Sequence, residues 1–152
     1  MKIPAVYNLS HLSKNIIGLP DSQFSGVLLG IATQVKEYQL CWHLNKILHF
    51  NLQRGEDVEI INKKKNKTSV FSFFRFEDDL DKKITYVVAN KHHGEYLIPE
   101  VKQVDYLLLI RGELSLVQQE NLVLQLKNIP IIQLVILLEY GRLRSRNNLT
   151  FE

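Results

Sequence analysis

Two stretches of helical period bracket a run of short extended segments, and this alternation constrains the fold more than any other feature of the chain. In the first stretch, Leu40, Leu44, Ile47 and Leu48 share one helical face, which Tyr38, Cys41 and Trp42 widen. That predicts a helix over about residues 34–49 with Thr33 as N-cap. In the second, Ser115 and Gln118 have capping-box spacing, Leu122, Leu126 and Ile129 follow at i, i+4 and i+7, and Pro130 ends the helix. Strand patterns occupy residues 24–32, 58–61, 69–76, 84–90, 104–110 and 131–140. The phenylalanines of 69–76 lie on both faces, Phe71 and Phe73 on one, Phe74 and Phe76 on the other. Both sides of that strand therefore need cover. The order β-α-β-β-β-β-α-β, with hairpin-length connections in the middle, predicts an α+β two-layer sandwich. Its mostly antiparallel sheet has about six strands and carries two helices, on a ferredoxin-like plan with an inserted hairpin.

The chain of 152 residues is sized for one domain, and no repeat or linker divides it. Residues 1–23, with Pro4, Asn8, Gly18, Pro20 and Asp21 and no clear period, read as an N-terminal arm. Residues 24–140 form the domain, and 141–152 a basic polar tail. Hydrophobic residues make up 45% and the net charge is only +3, which excludes disorder for the bulk of the chain. The single cysteine, Cys41, excludes an internal disulfide and reads as a core thiol. The N-terminal stretch lacks the apolar run of a signal peptide, and no 18-residue apolar stretch exists. The expectation is a cytoplasmic protein with no membrane segment.

Chemistry is thinly signalled. The seven glycines are scattered singly and form no phosphate loop. No catalytic triad pattern occurs, and no cofactor is expected. Cys41 and His43 lie about 200° apart on a helix, and His92 and His93 sit in a turn, so no metal site is expected either. The acidic run Glu77-Asp78-Asp79-Leu80-Asp81 lacks the glycine and glutamate of a calcium loop and reads as a hydrated hairpin tip. Lys63, Lys64, Lys65 and Lys67 form one basic cluster, in a turn. Arg142, Arg144 and Arg146 form another, in the tail. These are the candidate contacts for nucleic acid.

The most unusual segment is Ile98-Pro99-Glu100 followed by Val104-Asp105. Pro99 restricts the chain just before Glu100, and Asp105 lies at the mouth of an otherwise apolar strand. Both carboxylates are expected to accept backbone N–H groups or an arginine, with Arg75, Arg111 or the 142–146 arginines as partners. A contact with a ligand or partner protein is the alternative.

These residues resemble the signature of the IPExxVD family, small bacterial proteins of unknown function. Glu37-Tyr38-Gln39-Leu40, Leu44-Asn45-Lys46 and the tail from Arg144 to Leu149 look like features of the same family. Here Val101, Lys102 and Gln103 separate Glu100 from Val104, where the label read literally has two residues. The resemblance implies a free-standing cytoplasmic bacterial protein and brings no activity, cofactor or catalytic residue. The functional expectation is a small non-catalytic protein-interaction module, acting on a partner protein or as a homodimer. The alternatives are an RNA-binding protein using the two basic clusters, and a small-ligand binder or enzyme with an atypical site near Glu100 and Asp105.

Overall fold

The computed structural model describes residues 24–151; the N-terminal arm expected at 1–23 lies outside the described residues. The chain runs β1 (Gly26–Thr33), α1 (Glu37–Leu48), β2 (Gln53–Arg54), β3 (Val58–Asn62), β4 (Lys67–Phe71), β5 (Phe73–Asp78), β6 (Lys83–Ala89), β7 (Lys91–His92), β8 (Glu95–Tyr96), β9 (Tyr106–Arg111), α2 (Leu116–Lys127) and β10 (Ile132–Leu138). Short 3-10 turns occupy Pro99–Val101, Tyr140–Arg142 and Arg146–Leu149. The fold is α+β, built on a six-stranded sheet of order β10-β1-β9-β6-β5-β2.

Every pairing in that sheet is antiparallel. β9 and β10 therefore run in one direction with β1 between them, and α2 crosses β1 to join them. The four strands β10-β1-β9-β6 have the order of a ferredoxin-like sheet. The inserted piece between α1 and β6 adds β5 and β2 at the edge and sends the β3–β4 hairpin out of the sheet. The pattern at 69–76 looks like one strand but makes two. The chain breaks at Ser72, whose carbonyl accepts the Ala89 N–H at 2.9 Å, so β4 leaves the sheet that β5 joins.

Period-2 alternation places the core on both faces. Val27, Leu29 and Ile31 of β1, Leu108 and Ile110 of β9, and Val135 and Leu137 of β10 face the helices. There they meet Leu40, Cys41 and Leu44 of α1 and Leu122, Val123 and Leu126 of α2. Leu28, Tyr86, Val88, Leu107, Leu109 and Ile136 face the other way, against Phe71, Leu97, Ile98, Val101, Val104, Leu143 and Leu149. The basic tail is thus part of the second layer, with Leu143 and Leu149 buried within it. At Gly30 of β1 a side chain of the second layer sits against the sheet backbone. A Cβ there would lie 2.6 Å from Cγ1 of Val104, so only glycine lets that side chain seat.

Two helix details differ from the sequence pattern. α1 begins after Lys36, whose N–H donates to Oε1 of Gln39 at 3.1 Å, while the Thr33 hydroxyl donates to the Ile131 carbonyl. Tyr38 and Trp42 do not join the buried face. Trp42 lies about 200° round the axis from Leu40, and both aromatics point to solvent.

Candidate functional site

The segment from Leu97 to Asp105 carries the singular sequence pattern, and the structure shows what each residue of it touches. Ile98 and Val104 are fully buried in the second layer, and Pro99 opens the 3-10 turn Pro99–Val101. Glu100 reaches the tail: its two carboxylate oxygens accept the N–H and the hydroxyl of Ser145, both at 2.7 Å. Burial alone would raise the Glu100 carboxyl. The Ser145 hydroxyl and N–H outweigh that effect and hold it below the ordinary carboxylate value. Asp105 accepts the Thr33 N–H at 2.9 Å, where β1 ends, and pairs with Lys91 Nζ at 2.9 Å.

Each carboxylate accepts a backbone N–H as expected, from Ser145 and Thr33; the further partners are the Ser145 hydroxyl and Lys91, and among the described residues no arginine side chain pairs with either. Arg75 pairs with Glu77 at 2.8 Å, Arg111 donates to the Phe151 carbonyl, and Arg142 pairs with Glu139 at 2.8 Å.

Asn90, a residue the sequence pattern does not single out, holds this segment in place. It is fully buried at the end of β6. Its Nδ2 donates to the Val101 and Val104 carbonyls, each at 3.1 Å, and its Oδ1 accepts the Ile98 N–H at 2.7 Å. Its own N–H donates to the Asp105 carbonyl and its carbonyl accepts the Leu97 N–H. From the other side, Asn148 donates Nδ2 to the Leu97 carbonyl at 2.8 Å. One buried amide therefore satisfies the turn that joins β8 to β9, and the tail closes over it. The available signal was an asparagine terminating the apolar run Val87-Val88-Ala89. Its partners lie eight to fourteen residues on, beyond any local spacing rule.

Of the two basic clusters, only Lys65 lines a cleft with the segment that follows β8; Arg142, Arg144 and Arg146 do not line it. This cleft of about 390 Å³ is lined by Asn62, Lys65, Ser69, Tyr96, Lys102 and Ser145 among others, so the β3–β4 tip and the start of the tail border it together. Lys63, Lys64, Lys65 and Lys67 are exposed at the tip. Lys65 and Lys67 share Glu95 at 4.0 and 3.4 Å. Lys91 and Lys102 both stand over the Tyr96 ring, at 5.8 and 5.7 Å. Arg144 is exposed, and Arg146 turns back to the Leu143 carbonyl at 2.8 Å.

A second, polar cleft lies around Asp105, Lys91, Tyr106 and His92. Burial raises the Tyr106 hydroxyl, with the Glu37 and Asp105 carboxylates adding to the effect, and its O–H donates to the Val35 carbonyl at 2.8 Å. It is a structural phenol. Cys41 is likewise inert: burial, with Glu37 adding to it, pushes its thiol up to about 12. Among the described residues, no group of three His, Cys, Asp or Glu is placed to hold a metal ion, and no helix is long and apolar enough to cross a membrane.

The third feature is the outer face of the helical layer. Tyr38 and Trp42 are 61% and 57% exposed on α1, and Val117 and Leu124 are 66% and 58% exposed on α2. Lys46 Nζ stands 5.0 Å from the Trp42 ring centroid.

Compared with protein-family models, curated proteins and solved structures, the chain matches none of them.

Proposed function

We propose that this protein is a small, non-catalytic protein-interaction module that binds through the outer face of its helices. The observation that carries the reading is the pair Tyr38 and Trp42, one helical turn apart and more than half exposed, although the fold has an apolar layer into which α1 packs its other face. Large aromatics left in solvent at i, i+4 are the residue type that dominates binding energy at protein interfaces. The Ile98–Asp105 segment supports the same reading by subtraction, because Glu100 and Asp105 are both engaged within the fold. The resemblance to the IPExxVD family and a cytoplasmic location belong to the proposal. So does the reading of Ile98, Pro99, Glu100, Val104 and Asp105 as a structural clasp.

The test is affinity capture from the producing cell's lysate after nuclease treatment, with wild type and Tyr38→Ala/Trp42→Ala side by side. A protein retained by wild type and lost by the variant is the expected result; identical retention overturns the reading. A second reading, RNA binding, is favoured by one observation: Lys65 and Lys102 line a single cleft with Tyr96, over whose ring Lys91 and Lys102 stand. It requires capture that nuclease abolishes and binding that weakens steeply with salt.

A further inference from the structure

We propose that the partner covering Tyr38 and Trp42 is the β5–β6 turn of a second copy of this chain, docked head to tail. The inference rests on the reading of α1 as a binding face and names its occupant. The β5–β6 turn presents Leu80, which is 96% exposed, farther into solvent than any other large apolar side chain among the described residues. Asp78, Asp79 and Asp81 flank it, against Lys82 and Lys83, while Glu77 is paired with Arg75 at 2.8 Å, so the tip keeps a small negative charge. Its shape is set in advance. Oδ1 of Asp78 accepts the N–H groups of Leu80 and Asp81 at 3.1 and 3.2 Å, and Lys82 takes the left-handed conformation that closes the turn. A loop already held in one shape loses little conformational freedom on docking.

The outer face of α1 is the complement. Its apolar centre is Tyr38 and Trp42, with His43 and Lys46 against the Trp42 ring. Glu37 is the sole carboxylate on the helix. A leucine set among carboxylates thus matches an aromatic pair capped by Lys46, in charge as well as in apolarity. Within one chain the two surfaces do not meet, since Leu80 and Trp42 are both exposed. Knob and patch are different surfaces, so each copy keeps one of each free. The contact is heterologous and propagates into a ring or an open chain. It is small, and therefore weak, and it is screened by salt.

The experiment uses full-length wild type, Leu80→Ser and Trp42→Ala. Both substituted positions are exposed, and circular dichroism confirms that each variant is folded. In sedimentation over the micromolar to millimolar range, wild type should grow in average mass with concentration, less so in high salt, and each variant alone should remain a single chain. Mixed in equal amounts, the two variants should form a species of two chains and no larger, because the intact knob of Trp42→Ala fills the intact patch of Leu80→Ser. Trp42 is the only tryptophan, so Trp42→Ala is silent in tryptophan emission and the Leu80→Ser signal should move to shorter wavelength on mixing. A single-chain wild type, a Leu80→Ser variant that associates as wild type does, or a mixture that stays monomeric overturns the inference. If wild type stays a single chain while Tyr38→Ala/Trp42→Ala still loses a captured protein, the homotypic partner is overturned and the broader interaction reading stands.

Discussion

Replacing Asn90 by alanine removes three side-chain hydrogen bonds at a site with no solvent access, and the cost can be worked from those bonds. Each contributes about 0.5–1.5 kcal/mol net, and a buried group left unsatisfied costs about 1–3 kcal/mol. Two carbonyls, those of Val101 and Val104, and the Ile98 N–H lose their partner together. The expected loss is about 3–5 kcal/mol, a large share of the roughly 5–15 kcal/mol that holds a domain folded. Asn90→Asp is the sharper probe. Its Oδ1 still accepts the Ile98 N–H, but an ionised second oxygen would face two carbonyl oxygens, so it should be at least as destabilised as the alanine variant at pH 7. Part of the loss should return in acid, where a protonated Asp regains one donor. Urea unfolding followed by far-ultraviolet circular dichroism measures both, because Trp42 is too exposed to report on the core. An Asn90→Ala variant within about 1 kcal/mol of wild type would refute the idea that this amide organises the segment from Leu97 to Asp105.

Glu100→Gln should cost about 1–2 kcal/mol at pH 7 through weakened bonds from Ser145. Because the folded Glu100 carboxyl is held low, its contribution is complete above the unfolded value near 4.3 and fades as pH falls through the folded one. The gap between wild type and Glu100→Gln should therefore close in acid, as paired urea melts at several pH values would show. Ser115→Ala removes the hydroxyl that accepts the Gln118 N–H at 3.1 Å and should cost about 0.5–2 kcal/mol; an unchanged urea midpoint would count against the cap. Gly30→Ala should cost about 1–3 kcal/mol by forcing Val104 from its seat, readable as a lowered Tm. Cys41 should react with a thiol reagent in the native protein only as fast as the chain opens, and at once in denaturant.

Much of the fold was legible because it depends on periodicity. The capping box at Ser115 and the stop at Pro130 frame α2 as expected, and the nearly unbroken apolar run of 104–110 marks β9 as a strand covered on both faces. The break at Ser72 was not legible, since Phe71 and Phe73 keep the alternation going while the chain changes sheets. Trp42 misled for a related reason: apolarity suggested the core, but position on the helix puts it outside. The site was legible only in part. Pro99, Glu100 and Asp105 stand out by composition, yet their partners Ser145, Thr33 and Lys91 lie far along the chain, and Asn90 acts entirely through long-range contacts. The tail reads as polar from its arginines, while Leu143 and Leu149 place it in the second layer.

The central claim is that the exposed aromatic face of α1 binds protein. The most direct measurement places a photoreactive phenylalanine at Tyr38 in one sample and at Lys64, on the basic hairpin tip, in another, and irradiates living cells that produce each. A protein adduct from position 38, with none from position 64, is the predicted result. Nucleic acid attached at position 64, with nothing attached at 38, would contradict the account and make the basic cleft the functional site.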